Sequence, residues 1–281
     1  YRRYGRGRRR GDWRRENINH LMARIHDRVK QLKPWVQVSS SPLGKYSKSG
    51  RTPHAKWTAY EDVFQDPKAW LQAGKQDMIV PMMYYRRNDF YPFVSTWLEQ
   101  SGQRNMVAGL GAYRLNRHEG DWSLSEISDQ ITYVRKQGGK GCAFFRAGFV
   151  IGNEKGLYNE LKNRFFKYPA QLPPLTWMSA ATAAPCEPRE VQVTRERGGL
   201  RLRWQGEPGC LYTLYYAPAD SIDLGRAHSI LATGIRACEW FLPVNADDER
   251  EYSFCVTASN RYRIESRPSR TTYYYFSRYE K

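Results

Sequence analysis

The sequence has no long hydrophobic run, little cysteine and far fewer acidic than basic residues. Nothing in it approaches the roughly 18 consecutive apolar residues that a membrane-spanning helix needs. The five cysteines show no C-x-x-C spacing and no histidine ligand pair accompanies them, so we expect no metal site and no cofactor. A disulfide among Cys186, Cys210, Cys238 and Cys255 is left open, and Cys142 is interpreted as a small core residue.

Basic residues outnumber acidic ones: the chain has 45 lysines and arginines and 28 aspartates and glutamates, which gives a net charge of +17. Six of the arginines lie in residues 1–10. A basic surface of this kind suits nucleic acid, an anionic glycan or another acidic surface. No nucleic-acid-binding motif accompanies the charge, so a nucleic-acid-associated protein is kept only as a second alternative.

The chain also lacks a signal peptide at its start, because residues 1–10 are followed by no apolar region. The start has the character of an internal segment of a longer protein, in which a targeting signal would lie upstream. Hydrophobic residues make up 41% of the 281 residues and aromatic residues 14%, which is enough for well-packed cores. We expect two domains, at 1–178 and 186–281.

The first domain alternates helical and strand patterns. The segment 77–85, D-M-I-V-P-M-M-Y-Y, is an almost continuous apolar run, which is typical of a parallel strand covered on both faces. Ser123 and Glu126 form the pattern of a capping box, and Asp12 and Asp66 are placed to cap helices. Helices are predicted over 11–32, 66–74, 92–101, 123–138 and 157–166, and strands over 35–39, 77–85, 105–112 and 141–145.

The segment 168–185 is rich in proline and alanine and ends this alternation, so it predicts a domain boundary. The rest of the chain has only strand patterns separated by turn residues, which predicts a small β-sandwich with Trp204 in its core. The predicted strands are 191–194, 200–204, 212–217, 237–242 and 252–259.

Five motifs resemble, in order, the second half of the glycosyl hydrolase-like 10 family. They are P-W-V-Q-V-S-S-S-P-L-G-K at 34–45, W-T-A-Y-E-D at 57–62, D-M-I-V-P-M-M-Y-Y at 77–85, G-L-G-A-Y-R-L at 109–115 and G-C-A-F-F-R at 141–146. The resemblance covers about residues 1–178. It implies the C-terminal half of a (β/α)8, TIM-type barrel of glycosidase ancestry, an α/β fold, containing strands five to eight.

The second domain resembles a fibronectin type III domain, because Tyr252 opens Y-S-F-C-V-T-A-S-N in the manner of that family's tyrosine corner. Modules of this kind usually bind or space other domains and rarely catalyse. The fold class is therefore α/β plus all-β, a half-barrel followed by a fibronectin type III-like sandwich.

The family resemblance implies that catalytic aspartates follow the fourth strand, which would lie upstream of Tyr1. It also implies a bacterial, often exported protein, which is extracytoplasmic (periplasmic, lipid-anchored or secreted) if the full-length chain carries a signal. A half-barrel exposes sheet edges and apolar faces, so we expect an upstream half-barrel segment or a second copy to cover the open sheet.

The ends of the predicted strands supply aromatic and basic residues but few acids. Aromatic rings suit the apolar face of a sugar, while lysine and arginine suit hydroxyls or carboxylates. Asp89 is the one local acid–base candidate, with a turn residue before Pro92 as the alternative interpretation. Glu61 and Asp62 either touch substrate or pair with nearby cations. The predicted substrate-binding residues are Lys45, Trp57, Tyr84, Tyr85, Arg86, Tyr113, Arg114 and Arg146.

The leading hypothesis is a glycoside hydrolase-like protein that acts on a bacterial or cell-surface oligo- or polysaccharide. It would hydrolyse O-glycosidic bonds if the first half of the barrel is present. The first alternative is a non-catalytic glycan-binding protein, in which the aromatic and arginine residues act without an acid–base pair.

Overall fold

The structure is a computed structural model that describes residues 1–48, 55–178, 183–218, 221–245 and 250–275. It divides into two compact units, Tyr1–Phe165 and Phe166–Lys281. His54, which the sequence places on the surface, and part of the predicted boundary at 168–185 lie outside the described residues. No helix in the described ranges is long and apolar enough to cross a membrane.

Unit 1 is built on one four-stranded parallel sheet in the order β1-β2-β3-β4. Its parallel strands and intervening helices fit a partial α/β barrel. The strands are β1 (Ser39–Ser40), β2 (Met78–Ile79), β3 (Asn105–Leu110) and β4 (Gly141–Phe144).

Two strands differ from the prediction. The segment 77–85 pairs only at Met78–Ile79 and again at the isolated bridges of Met82. Pro81 separates the two pairings and has no N–H to donate. The strand predicted over 35–39 begins only at Ser39, because Trp35 lies in a turn and is 37% exposed.

The helices of unit 1 follow the predicted order, except that the short helix at Ala147–Ile151 was not predicted. Asp66 caps α2 as expected, accepting a hydrogen bond from the backbone N–H of Ala69 at 3.2 Å. Gly102 ends α3 with a positive φ of 55°, a conformation that glycine adopts without a Cβ penalty. The helices are α1 (Arg10–Leu32), α2 (Pro67–Gln72), α3 (Tyr91–Ser101), α4 (Leu124–Lys136), α5 (Ala147–Ile151) and α6 (Leu157–Glu160), which continues as a π-helical turn at Leu161–Phe165.

Two predicted caps are wrong. Ser123 stands at the N-cap position of α4, but its hydroxyl bonds the Ser125 hydroxyl at 2.8 Å and no side-chain cap forms, so the capping box with Glu126 is absent. The cap position of α1 is Arg9, and Asp12 lies inside the first turn with its carboxylate bonded to Arg9 and Arg15.

The sheet and helices of unit 1 enclose one apolar core. Phe93 and Trp97 from α3 and Ile127 and Ile131 from α4 pack on Met106 of β3, and each is at most 1% exposed. Helix α1 is different, because no residue of it is buried. Three members of its apolar stripe, Leu21, Ile25 and Leu32, are 55%, 43% and 62% exposed.

Unit 2 contains two antiparallel sheets, ordered β11-β10-β7-β8 and β5-β6-β9. Trp204 is buried as predicted and meets the Tyr212 ring edge to face, with ring centroids 5.5 Å apart. The sequence missed β8 and β11. The strands are β5 (Arg189–Glu196), β6 (Gly199–Gln205), β7 (Leu211–Pro218), β8 (Ile230–Ile235), β9 (Glu239–Pro243), β10 (Tyr252–Ser259) and β11 (Thr272–Tyr274).

The cysteines are all free thiols, so the disulfide left open by the sequence is not formed. Cys142 packs against the core of unit 1, in agreement with its interpretation as a small core residue. Burial raises the pKa of its thiol to about 12. No group of three or more histidine, cysteine or acidic side chains in the described parts of the chain is arranged to hold a metal ion.

Candidate functional site at the strand ends

The carboxyl ends of β1 to β4 are the edge of the sheet where the predicted site residues lie. Because all four strands are parallel, their ends face the same side of the sheet. We call the residues that follow these strand ends the rim. The rim contains Lys45 after β1, Tyr84, Tyr85 and Arg86 after β2, Tyr113 and Arg114 after β3, and Phe145 and Arg146 after β4.

Three aromatic rings from three strand ends form one cluster at the rim. The Tyr84 ring stacks on Phe145 with centroids 5.4 Å apart and an interplanar angle of 15°. Tyr113 meets both of them edge to face, at 5.7 Å from Tyr84 and 5.8 Å from Phe145. Phe145 remains 49% exposed, so this aromatic cluster presents ring surface to solvent. Burial and the neighbouring Tyr113 raise the pKa of Tyr84, which keeps its hydroxyl neutral.

Lys45 joins the end of β1 to the end of β2. Its residue is 7% exposed, and its Nζ lies 2.7 Å from Asp89 Oδ1 and 4.7 Å from the centre of the Tyr85 ring. Burial and the Asp89 carboxylate raise the pKa of Tyr85. Asp89 itself ends a short 3-10 turn, Arg87–Asp89, and its side chain is 61% exposed. Asp89 is thus a turn residue whose carboxylate forms an ion pair with Lys45.

The three arginines of the rim each rest on an aromatic ring. Arg114 lies over Tyr113 at 4.9 Å, and its Nη1 donates to the Glu119 carbonyl at 2.8 Å. The Nε of Arg114 is buried and has no hydrogen-bond partner among the described residues. Arg86 lies over the Trp122 ring at 5.4 Å. Stacking of this kind fixes a guanidinium without consuming its outward N–H groups.

Arg146 pairs with an exposed acid. Its Nη2 lies 3.2 Å from Glu119 Oε1, the two side chains are 54% and 42% exposed, and its guanidinium lies over Phe149 at 5.2 Å. The partner is an acid at the surface, and the guanidinium stays accessible to a ligand.

The W-T-A-Y-E-D loop is fixed by its own acids. Glu61 and Asp62 both accept hydrogen bonds from Thr58, at 2.5 Å to the hydroxyl for Glu61 and at 2.7 Å to the backbone N–H for Asp62. Both carboxylates therefore form hydrogen bonds within the loop. Trp57 is 66% exposed with a positive φ of 62°, and in the described part of the chain no ring contact joins it to the aromatic cluster.

The backbone beneath the rim is held by close packing. A Cβ added at Gly44 would lie 2.3 Å from the Met82 carbonyl oxygen, so only glycine fits where these two strand ends approach. The Trp97 indole N–H donates to the Gly44 carbonyl at 2.6 Å. Gln130, which is fully buried, donates from Nε2 to the Tyr85 carbonyl at 2.9 Å. The core helices α3 and α4 thus position Lys45 and Tyr85.

The structure therefore brings Tyr84, Tyr113 and Arg114 together, and it places Lys45 against Tyr85. Within the described ranges, Trp57 makes no ring contact with the aromatic cluster. Sequence reasoning missed two residues, Phe145 and Trp122. Phe145 could have been found, because it is the last residue of G-C-A-F-F before Arg146 and β4 pairs only as far as Phe144. Trp122 is the second residue of the D-W pair before α4, where no local signal indicated a ring beneath Arg86.

Among the described residues, three carboxylates that follow the rim residues in the chain are each engaged in an ion pair. Asp89 pairs with Lys45, Glu119 pairs with Arg146, and Asp121 pairs with Lys155 at 2.5 Å. Glycoside hydrolysis generally needs two carboxyl groups, about 5 Å apart for retention and about 6.5–9.5 Å apart for inversion. The rim is better equipped to hold a ligand through rings and cations than to supply that pair.

Comparison with known proteins agrees with the strand-end motifs. Residues 3–107 match the sequence model of the family described as Glycosyl hydrolase-like 10. The resemblance to this family that the motifs indicated is thereby confirmed over these residues.

Two curated relatives extend the likeness. Glycosyl hydrolase YngK of Bacillus subtilis (strain 168) is 28% identical over 284 residues, which cover 93% of this chain and 54% of YngK. Glycosyl hydrolase DigH of Escherichia coli (strain K12) is 27% identical over 139 residues, which cover 44% of this chain and 32% of DigH. The chain thus spans about half of YngK and about a third of DigH.

Among solved structures, the glycoside hydrolase domain of Spr0440, Endo-D from Streptococcus pneumoniae R6, overlaps 34% of this chain and 16% of that chain. The overlap has 17% sequence identity and a TM-score of 0.26, which is too low to indicate a shared fold.

Proposed function

We propose that this chain carries the substrate-holding half of a site that acts on a bacterial or cell-surface glycan. The glycosyl hydrolase-like 10 match over residues 3–107 supports the class of substrate. The observation that carries the proposal is the aromatic cluster of Tyr84, Tyr113 and Phe145, which three separate strand ends bring together with Phe145 49% exposed. Exposed rings at this edge of a parallel sheet suit the apolar face of a sugar.

The cations of the rim define the polar part of the proposed contact. Arg86, Arg114 and Arg146 lie over rings, which holds each guanidinium in a fixed plane. A planar guanidinium donates two parallel hydrogen bonds to a carboxylate or to neighbouring hydroxyls. We infer that these arginines orient the glycan while the aromatic cluster supplies the contact area.

The catalytic carboxylates, on this proposal, come from the rest of the barrel. Strands β1 to β4 would be strands five to eight of a (β/α)8 barrel, and strands one to four would precede them. Two observations support this assignment: the chain spans 54% of YngK, and the apolar residues Leu21, Ile25 and Leu32 of α1 are exposed. An exposed apolar helix face is covered in a closed barrel by the neighbouring helix.

Unit 2 would serve as an accessory module of the fibronectin type III type. Its two antiparallel sheets and the buried Trp204 and Tyr252 support that assignment. We further propose an exported location for the full-length protein, in keeping with a glycan substrate outside the cytoplasm.

The test is binding of bacterial cell-wall glycan strands to the chain, measured by co-sedimentation. Tyr84→Ala and Tyr113→Ala should each weaken binding about tenfold, because each removes a ring from the aromatic cluster. Tyr158→Ala is the matched control, since Tyr158 is 45% exposed on α6 and lies outside the rim. Equal binding by all three variants would remove the aromatic cluster from glycan recognition.

A non-catalytic glycan-binding protein is the second candidate, and the engagement of Asp89, Glu119 and Asp121 in ion pairs favours it. An activity assay on a longer chain that includes the upstream barrel half distinguishes the hydrolase from the binding protein. Release of reducing ends by the longer chain supports the hydrolase, and glycan binding without release supports the binding protein. If the longer chain hydrolyses glycan, Asp89→Asn with unchanged activity would exclude Asp89 from acid–base chemistry.

A further inference from the structure

A cleft on unit 2 is lined by a charged residue that has no counter-ion. Its volume is about 170 Å³, and it is lined by Ala170, Gln171, Leu172, Leu211, Thr213, Thr233, Gly234, Ser259, Asn260 and Arg263. At about 30 Å³ for each water of the liquid, it has room for five or six waters, or for one small ligand group. A Cβ added at Gly234 would meet no atom within 4 Å, so this side of the cleft is open.

Arg263 is held at the cleft by a strained turn. Its φ is 61°, in the left-handed region that an unbranched non-glycine residue adopts only at a cost. The Asn260 side chain builds the turn, because its Oδ1 accepts from the backbone N–H groups of Tyr262 at 2.9 Å and Ile264 at 3.1 Å. The Arg263 N–H completes it by donating to the Asn260 carbonyl at 2.9 Å.

The nearest acid in the sequence does not neutralise this arginine. Glu265 Oε1 accepts hydrogen bonds from Gln171 Nε2 at 2.6 Å, from the Thr257 hydroxyl at 2.6 Å and from the Tyr215 hydroxyl at 3.0 Å. Three donors therefore converge on Oε1 of that carboxylate. Among the described residues no carboxylate forms an ion pair with Arg263, and desolvation lowers the pKa of its guanidinium.

The polar wall of the cleft is preorganised by the same network. Gln171 Nε2 also donates to the Thr213 hydroxyl at 3.2 Å, and that hydroxyl shares a hydrogen bond with the Thr233 hydroxyl at 3.1 Å. Leu172 and Leu211 also line the cleft and add aliphatic surface, with Leu172 64% exposed and Leu211 41% exposed. None of the described residues that line the cleft is aromatic, so it offers no stacking surface for a sugar ring.

We propose that this cleft binds the C-terminal residue of a peptide, with Arg263 pairing with the carboxylate and the two leucines contacting a small aliphatic side chain. A partly desolvated guanidinium without an acid is stabilised by an incoming carboxylate, which it binds through two parallel N–H groups. The threonine hydroxyls are placed to hydrogen-bond the adjoining amide. This site lies within unit 2 and is independent of the function proposed for the rim.

The probe is N-acetyl-alanine, with its neutral primary amide as the matched ligand control. Binding is measured on the full chain at low salt, from the shift of arginine Nε–Hε signals in ¹H–¹⁵N spectra. We expect saturable binding of the acid with a dissociation constant on the order of 1–10 mM, which one charge-assisted pair supports. The amide should bind at least about tenfold more weakly.

Arg263→Gln should lower the affinity for the acid at least about tenfold, because it removes the charge while keeping an unbranched side chain at the strained position. Arg267→Gln, at an exposed arginine of the same segment, should leave binding unchanged. Arg263→Lys keeps the positive charge but lacks the two parallel N–H groups of the guanidinium, so we expect it to bind the acid with intermediate affinity. If the glutamine variant fails to fold, the lysine variant takes its place in the test. Equal binding of the acid and the amide, or unchanged binding in Arg263→Gln, would overturn the proposal.

Discussion

Asp77 is the most deeply buried carboxylate in the described part of unit 1, and its removal tests how the sheet is held to α1. Asp77 is 2% exposed. Its Oδ2 accepts from the Val38 N–H at 2.8 Å and lies 2.7 Å from Lys30 Nζ. Lys30 belongs to the last turn of α1 and Val38 directly precedes β1, so this one carboxylate joins three segments. Asp77→Asn keeps the shape of the side chain and removes its charge.

The expected loss of unfolding free energy follows from the burial of Asp77 and Lys30. Breaking a buried ion pair by removing one charge costs about 3–5 kcal/mol. The Lys30 side chain is 21% exposed and keeps hydrogen bonds to the carbonyls of Pro34 and Val36, which lessens the penalty of leaving it unpaired. We therefore expect unit 1 to lose about 2–3 kcal/mol of unfolding free energy. For a domain of this size the midpoint should fall by about 4–12 °C.

Differential scanning calorimetry of the full chain measures this shift. The matched control is Asp121→Asn, because Asp121 also pairs with a lysine, at 2.5 Å, but its side chain is 63% exposed. Solvent screens such a pair, and we expect no measurable change in the midpoint. If both variants left the midpoint unchanged, or both lowered it equally, burial would not be what makes the Asp77 pair stabilising.

Two further predictions concern titratable groups. Ellman's reagent followed by peptide mapping should label the exposed Cys238 well before Cys142 and Cys255, because burial raises the thiol pKa values of the latter two to about 12 and about 11; simultaneous labelling would contradict this order. The hydrogen bonds from Thr58 lower the pKa of Asp62 below 3.8, so the stabilisation they give is complete above that pH and is lost as the pH falls through the lowered value. Carboxyl ¹³C titration should show the Asp62 midpoint rising part of the way in Thr58→Val, which removes the hydroxyl but keeps the backbone N–H, and an unmoved midpoint would assign the whole shift to the backbone hydrogen bond.

The order of elements in unit 1 could be predicted because the signals are local. Asp66 followed by Pro67 marks the start of α2, and the N-M-V-A-G-L run marks β3. The predicted cap and strand boundary were wrong where two local arrangements compete and the sequence pattern does not decide between them. Nothing near Ser123 shows that its hydroxyl turns to Ser125, and periodicity does not show that Pro81 interrupts the pairing of β2.

The contacts of the rim were less predictable than its composition. The motifs place aromatic or basic residues after each strand, and parallel strands bring these ends to one edge. Which residues then touch depends on loops of different length. The pairing of Arg146 with Glu119 crosses 27 positions and that of Lys45 with Asp89 crosses 44, and no periodic pattern spans such separations. The stacking of Phe145 on Tyr84 depends on the same loop geometry.

The two ends of the sheet place their acids differently, and this difference bears on mechanism. At the amino end, Asp77 is buried and stabilises the fold. At the carboxyl end, Asp89 and Glu119 are 61% and 42% exposed, and each is paired with a cation. A ligand that approaches the carboxyl end therefore meets rings and guanidinium groups, while each of these acids is already held by a basic side chain. A rim of this kind favours binding over bond cleavage, and the proposed hydrolysis depends on carboxylates from the other half of the barrel.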